Sequence, residues 1–176
     1  MSDFPFDIPT VQPSSGGGGS LPYATVQNEV TETIINPAQA GKVISNFTLT
    51  ITPTSETQKV CLSGVVNGGW TPSSERGAYI LIKRGDTTLG PPDAGNRTSV
   101  NACFMSQFEN KDFTFESAPF TYIDEPETTS ELSYTVFVIN GQDPNADFYL
   151  NRTVQDLNSS GVMRMSSTFT AQCFEP

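Results

Sequence analysis

Residues Ala118–Thr153, APFTYIDEPETTSELSYTVFVINGQDPNADFYLNRT, carry the densest strand signal in the chain. Within them, residues 133–140 alternate Tyr, Val and Val with Thr, Phe and Ile. Apolar side chains on both faces predict a strand in the middle of a core. The following Asn140-Gly141 and Asp143-Pro144 pairs are typical of a tight reversal. We therefore predict a β-hairpin whose second strand runs over residues 148–153.

Short strand-like segments occupy the rest of the chain, and Gly, Pro, Asn or Asp stands at nearly every junction. No segment has the period of a helix. This pattern predicts an all-β protein, an antiparallel two-sheet sandwich of jelly-roll type. In the segment 42–51 we expect the buried face to hold Val43, Ser45, Phe47, Leu49 and Ile51. The remaining predicted strands cover residues 23–35, 59–66, 78–84, 100–108, 112–115, 120–123 and 162–174.

Residues 1–22 combine four prolines and a Ser/Gly block with isolated apolar residues, and such a segment cannot form its own core. We predict an extended N-terminal arm and linker over residues 1–36 and a β-sandwich domain over residues 37–176. The arm is expected to lie along a partner or a neighbouring copy. Folding back onto its own domain is the alternative. The expected partner-binding residues are Phe4, Phe6, Ile8, Val11, Leu21 and Tyr23.

The chain of 176 residues has a net charge of −10, with nine Lys plus Arg and no His. So few cations argue against binding to nucleic acid or to an anionic membrane. The acidity favours solubility, and a basic partner surface is the alternative interpretation. The first thirty residues contain neither a cationic n-region nor an apolar run, so we expect no signal peptide and no membrane span.

The absence of His excludes Ser-His-Asp and Cys-His catalysis and His-ligated zinc sites. The run Gly16–Gly19 lacks the following Lys of a P-loop. Acidic residues crowd residues 124–131 and 143–147, where solvated turns are favoured over a glycosidase pair or a calcium site. The three Cys lack metal-ligand spacing and are predicted to be reduced and buried. We therefore predict no catalytic residue, no metal site and no cofactor.

The polar stretch 67–77 carries the chain's one tryptophan, Trp70. A flat amphipathic ring supplies contact area at little entropic cost, so an exposed Trp70 would suit a sugar ring or a neighbouring subunit. We predict a recognition loop at Trp70 and Arg76, joined by Arg97 from the nearby segment 91–97. The alternative is a tryptophan packed over the end of the sandwich.

An ordered set of short motifs spans the last third to half of the chain: Tyr122, Asp124, Pro126, Thr128, Thr129, Tyr134, Asn151, Arg152, Thr153, Ser167 and Thr168. This order resembles a domain common in structural proteins of tailed phages. The resemblance implies a β-sandwich virion module, often homotrimeric, in which Tyr122, Asp124, Pro126, Tyr134, Asn151 and Arg152 have structural roles. Such sequences typically close with an apolar strand and a Glu-Ile-like pair. The ending AQCFEP departs from that pattern, and the resemblance implies that this departure would alter a subunit contact at that edge.

Given this resemblance, we expect a non-enzymatic virion protein, assembled in the host cytoplasm. Its expected role is capsid decoration, or cement, in which the arm binds the major capsid protein or another virion protein and the sandwich is an exposed homotrimeric knob. The alternative is a tail-fibre or baseplate module that recognises a host glycan or protein. A short arm joined to one domain, with no fibre shaft or repeats, favours decoration.

Overall fold

The computed structural model describes residues 20–37, 41–70, 77–91, 99–104, 115–140, 146–160 and 162–176. These ranges contain eleven strands. None of them holds a helix long and apolar enough to cross a bilayer. The strands are β1 (Tyr23–Asn28), β2 (Glu32–Ile34), β3 (Lys42–Ile51), β4 (Lys59–Trp70), β5 (Ala78–Arg84), β6 (Thr87–Leu89), β7 (Ala102–Cys103), β8 (Glu116–Asp124), β9 (Leu132–Asn140), β10 (Phe148–Leu150) and β11 (Ser167–Phe174).

The strands form two antiparallel sheets. In the six-stranded sheet, β4 pairs with β8 along one edge and with β11 and then β10 along the other. Beyond these, β1 pairs with β11 and β2 pairs with β10. In the five-stranded sheet, β9 lies between β3 and β5, and β5 also pairs with β6 and β7.

The order of pairing is that of a jelly roll. The pairs β1–β11, β3–β9, β4–β8 and β5–β6 join strands progressively from the ends of the chain towards its middle. These four pairs alternate between the two sheets, as in a long double-stranded hairpin that has been rolled up. The predicted all-β, jelly-roll-like sandwich is confirmed.

The predicted hairpin between residues 133–140 and 148–153 is wrong. Both strands exist, but β9 lies in the five-stranded sheet and β10 pairs with β4 and β2 in the six-stranded sheet. The chain therefore passes from one sheet to the other between β9 and β10, and the predicted turn, residues 141–145, lies outside the described ranges. The second strand also ends early, at Leu150, because the φ of 56° at Asn151 turns the chain out of the extended conformation.

A bulge in β3 changes which side chains are buried. The pairing with β9 shifts register between Val43 and Thr48, and Asn46 has a φ of 57°. The predicted face is therefore wrong at its beginning. Val43 is 47% exposed and Ser45 is exposed, whereas Ile44 is fully buried. The extra residue reverses the alternation, and the prediction holds again from Phe47 onwards.

Two further boundaries differ from the prediction. Strand β4 continues to Trp70 because its last three residues pair with β10. Strands β1 and β2, which the sequence division assigns to the arm and linker, are both part of the six-stranded sheet. The residues that precede the sheet are therefore 1–22.

The core lies between the two sheets and is rich in phenylalanine. The ring of Phe169 in β11 lies 5.9 Å from the ring of Phe47 in β3 and 5.7 Å from that of Phe120 in β8. These centroid distances suit tilted aromatic pairs. Gly64 in β4 makes room for this cluster, because a Cβ there would lie 2.7 Å from Cζ of Phe120.

Replacing Gly64 by alanine tests this packing. The added Cβ would also lie 2.2 Å from the carbonyl oxygen of Thr168 on the paired strand. We expect Gly64→Ala to lower the free energy of urea unfolding by about 1–3 kcal/mol, as overpacked cores do. Gly90→Ala is the matched control, because its Cβ would meet nothing closer than Ser99 at 3.7 Å. Equal stability of the two variants would contradict the close approach at Gly64.

Candidate functional site

Buried polar side chains in the described ranges are concentrated in two clusters. Within these ranges, no three His, Cys, Asp or Glu side chains come together as a metal site. The first cluster joins the two sheets, and the second lies where β10 and β11 meet along β4. Their hydrogen bonds indicate what each cluster can do.

The first cluster, the inter-sheet clamp, consists of Asp124, Arg84 and Tyr134. Asp124 ends β8 in the six-stranded sheet, whereas Arg84 ends β5 and Tyr134 lies on β9 in the five-stranded sheet. Oδ2 of Asp124 accepts a hydrogen bond from Nη1 of Arg84 and one from the hydroxyl of Tyr134, both at 2.7 Å. Asp124 and Tyr134 are buried. Two donors on one carboxylate oxygen offset the cost of burying the charge.

The clamp holds its tyrosine in the neutral form. Burial raises the pKa of Tyr134, and the hydrogen bond to Asp124 and the charge of that carboxylate raise it further, while Arg84 lowers it. Because Tyr134 keeps its proton and donates a hydrogen bond to Asp124, the pair acts as a fixed contact between the sheets. The geometry supports a structural role for the clamp.

The second cluster, the asparagine network, begins with Asn151. Its Nδ2 donates to the carbonyl oxygens of Asn28 at 2.7 Å and Val30 at 3.0 Å, and its Oδ1 accepts from the hydroxyl of Ser167 at 2.6 Å. Asn151 is fully buried, and asparagine is one of the few residues that adopt a positive φ readily. The carboxamide thus ties the chain beyond β1 to β10 and β11.

Asn67 of β4 completes the network. Its backbone N–H donates to the hydroxyl of Ser167 at 2.9 Å, and its carbonyl accepts from the N–H of Asn151 at 2.8 Å. Its side chain donates to the carbonyl of Ser166 at 2.7 Å and accepts from the hydroxyl of Ser117 at 2.5 Å. Every one of these bonds joins different strands or the segments beside them. The network therefore stabilises the six-stranded sheet.

Three of the six residues to which the family resemblance assigns structural roles lie in these two clusters. Asp124 and Tyr134 belong to the clamp, and Asn151 belongs to the network. Tyr122 packs half-buried against the core, and Pro126 is half-buried in the segment after β8.

Arg152 lies on the outward side of the six-stranded sheet. Its guanidinium carbon is 4.5 Å from the centre of the Tyr149 ring, and its Nη2 donates to the hydroxyl of Thr33 at 2.6 Å. Its Nη1 donates to the carbonyls of Thr153 and Val154. Its contacts hold strands β10 and β2 and the chain that follows β10 together.

Sequence reasoning missed Arg84 and Asn67. A signal for Arg84 was present, because it shares the strand parity of Ile80 and Ile82, whose side chains face the core. Asn67 carried no comparable signal, since its role depends on two strands that are distant in the sequence.

The prediction of an exposed Trp70 is wrong. Trp70 is 3% exposed and lies opposite Phe148 at the end of β4. Its Nε1 has no hydrogen-bond partner among the described residues. The ring is buried because β4 extends to pair with β10, a distant contact that the local Gly- and Pro-rich sequence did not reveal. Arg76 and Arg97 lie outside the described ranges, as do Phe4, Phe6, Ile8 and Val11.

Leu21 and Tyr23 mark the place where the chain joins the sandwich. Strand β1 is an edge strand, and the carbonyl of Pro22 accepts a hydrogen bond from the N–H of Cys173 at 2.9 Å. Leu21 is 39% exposed and Tyr23 is 60% exposed. Two large apolar side chains are thus available for contact at this edge.

The three cysteines are free, but they differ in exposure. Cys173 is buried as predicted, and burial raises the pKa of its thiol, with the charge of Glu175 adding to the effect. Cys61 is half-buried, and Cys103 is exposed. The prediction of burial is therefore wrong for Cys103, because β7 is an edge strand and this side chain points outward.

No protein-family model and no curated protein matches the sequence. Among solved structures, the chain is similar to one from the T13 particle of infectious bursal disease virus, with a TM-score of 0.39, 13% identity and coverage of 98% of this chain and 39% of that chain. For the structure of the Gx strain of the same virus, the TM-score is 0.37 and the identity is 14%, with coverage of 86% of this chain and 36% of that chain. For the VP2 subviral particle of that virus, the TM-score is 0.37 and the identity is 14%, with coverage of 92% of this chain and 41% of that chain.

This chain therefore spans 36–41% of the length of those virus chains. At these identities and TM-scores, the likeness does not assign the chain to their family.

Replacing Tyr134 by phenylalanine tests the clamp and its pH dependence. At pH 7 we expect Tyr134→Phe to be about 1–2 kcal/mol less stable, because Asp124 loses a donor. Above the ordinary tyrosine pKa of 10.0, the unfolded wild type releases a proton that the folded form retains. Wild-type stability should then fall relative to the variant by up to about 1.4 kcal/mol per pH unit.

Urea unfolding of both proteins between pH 7 and 11 measures this difference. The stability gap should be constant below the ordinary pKa of tyrosine and narrow above it. A gap that stays constant at every pH would contradict the raised pKa of Tyr134.

Replacing Asn151 by alanine tests the asparagine network. The change removes the donor to the carbonyls of Asn28 and Val30 and the acceptor of the Ser167 hydroxyl, and it places alanine at a positive φ. We expect a loss of roughly 3–5 kcal/mol in the free energy of unfolding. Asn158→Ala is the control, because Asn158 is exposed, and its expected change is within about 0.5 kcal/mol. Similar unfolding midpoints for the two variants would refute the role of Asn151.

Proposed function

We propose that this chain is a non-enzymatic structural protein of a phage virion, and that it decorates the capsid by binding the shell through its N-terminal arm. The observation that carries the proposal is the position at which residues 1–22 meet the sandwich. Pro22 is bonded to β11 at the edge of the six-stranded sheet, beside the exposed Leu21 and Tyr23. An arm that leaves from an edge strand can run onto a neighbouring molecule.

The composition of the arm suits such a contact. Phe4, Phe6 and Ile8 alternate with polar or proline residues, so an extended strand of this sequence presents apolar side chains to a surface or sheet edge. Fully extended, residues 1–19 span about 65 Å, enough to cross a neighbouring subunit. Each arm contributes a modest contact. When several copies are joined, their contacts with the shell add up, so the overall avidity exceeds the affinity of one arm.

A structural role is also supported by the buried polar residues, whose hydrogen bonds join strands to one another. Asp124, the buried carboxylate, is held by two donors from the opposite sheet, and the buried carboxamides of Asn67 and Asn151 join strands. The net charge of −10 suits a basic partner surface and disfavours nucleic acid and anionic membranes. Decoration of the shell, a homotrimeric knob and assembly in the host cytoplasm complete the proposal.

The alternative is a tail-fibre or baseplate module that binds a host glycan or protein. One of the three residues predicted to carry that recognition is not accessible. Trp70 is buried, so recognition would depend on Arg76, Arg97 and their neighbours. Decoration therefore has the stronger support, and the alternative becomes an outcome of the following experiment.

Deleting residues 1–19 should abolish co-sedimentation with undecorated capsids. The deletion keeps Ser20, Leu21 and Pro22, so the hydrogen bond between Pro22 and Cys173 and strand β1 remain in place. The melting temperature should change by less than about 2 °C, because little of the fold is lost. A full-length variant carrying Phe4→Ala, Phe6→Ala and Ile8→Ala should fail to pellet in the same way.

Parallel tubes with host cells provide the control. Arm-independent pelleting with cells, and none with capsids, would refute decoration in favour of receptor binding. A large drop in melting temperature on deletion would place the arm within the fold of its own domain.

A further inference from the structure

The outward side of the six-stranded sheet contains a field of residues without any charge, which we call the neutral face. The register of β1, β11, β4 and β8 places these residues in three rows of four. The rows are Tyr23, Gln172, Cys61 and Ile123; Thr25, Thr170, Ser63 and Thr121; and Gln27, Thr168, Val65 and Pro119.

A neutral field of this size is unusual for the surface of a protein with a net charge of −10. Charged residues make up 16% of the chain, so twelve positions would carry roughly two charges on average, and more on a typical soluble surface. The nearest described charges lie at the borders. Lys59 and Glu125 form an ion pair of 2.6 Å beyond one end, and Glu29 bonds to Gln27 at a corner of the other.

The side chains of the neutral face are suited to being covered. Tyr23 and Ile123, at the two ends of one row, are 60% and 52% exposed. In the middle row, the hydroxyl of Thr25 lies 3.0 Å from that of Thr170 and also donates to the carbonyl of Phe169 at 3.3 Å. Because these hydroxyls have partners within the chain, covering them does not leave them unsatisfied.

We propose that the neutral face is the surface through which copies of this chain meet. The inference rests on the self-association included in the proposed function and names the contact that would produce it. The absence of charge indicates which partner the neutral face binds. A basic partner would be recognised by the acidic surface, whereas the neutral face offers it no complementary charge.

Two copies of a chain with a charge of −10 repel each other wherever their carboxylates meet. The neutral face avoids that repulsion and presents the depletion of charge that is typical of the core of an interface. A second copy of the chain supplies a matching neutral surface.

The area of the neutral face sets the expected affinity of self-association. Four strands about 4.8 Å apart and three rows about 6.8 Å apart cover roughly 400 Å², about half the area that one partner contributes to a standard interface. Leu21 and Phe174 extend the field at one end. We expect self-association in the micromolar range, which becomes effective where many copies are held on one shell.

The test compares two Thr→Glu substitutions on edge strands of opposite sheets. Thr121 in β8 lies on the neutral face, and Thr88 in β6 is exposed on the outward side of the other sheet. Sedimentation velocity of the full-length chain from about 1 to 200 µM should show association that Thr121→Glu weakens at least tenfold and Thr88→Glu leaves unchanged. Thermal unfolding should be the same for both, because both side chains point outward.

The cysteines provide an independent probe of the same contact in the unmodified protein. Cys61 lies within the neutral face, and Cys103 is exposed on the other sheet. The rate of alkylation of Cys61, followed by peptide mass spectrometry, should fall as the protein concentration rises, while that of Cys103 stays constant.

The outcomes distinguish this inference from the proposed function. A wild type that stays monomeric throughout, or association that both Thr→Glu variants weaken equally, would overturn the neutral face as a contact. If arm-dependent pelleting with capsids persists in that case, decoration stands without it. Loss of arm-dependent pelleting together with intact, Thr121-sensitive association would instead overturn decoration and leave the neutral face in place.

Discussion

The six-stranded sheet depends on how hydrogen bonding is divided along one edge of β4. Strand β11 pairs with the first part of that edge and β10 with the last part, so two strands end against each other in mid-sheet. Buried backbone groups at such a junction need partners. The carboxamides of Asn67 and Asn151 and the hydroxyl of Ser167 provide them. This junction lets the long strand β4 pair with both β11 and the short strand β10, which in turn pairs with β2.

The sequence was sufficient for the class of fold because two local signals agree: alternation of apolar and polar residues within segments, and turn residues between them. It failed where distant contacts decide. The pair Asn140-Gly141 is typical of a turn, but nothing local shows that the next strand belongs to the other sheet. Trp70 has the sequence surroundings of a loop, yet pairing with β10 makes it part of a strand. The bulge at Asn46 likewise depends on pairing with β9.

The candidate sites were likewise predictable where local sequence was sufficient and not where distant contacts decide. Asp124, Tyr134 and Asn151 were identified through the family resemblance, but their contacts came only with the fold. The neutral face could not be recognised from the sequence, because its residues come from four strands spread between Tyr23 and Gln172. Each strand contributes only three outward positions, and three uncharged residues at alternate positions are commonplace. Only the register of the sheet shows that these short uncharged runs lie side by side.

The pairing of β1 with β11 places the first strand of the sandwich against the last. Tyr23 and Gln172 are partners although they are separated by almost the whole domain. At about 5–20 residues per second, synthesis of the chain takes roughly 10–35 s, and β1 has no partner strand for nearly all of that time. The backbone pairing of β1 therefore forms only after β11 has left the ribosome. If the N-terminal arm binds other subunits as proposed, this order makes completion of the fold a condition for assembly.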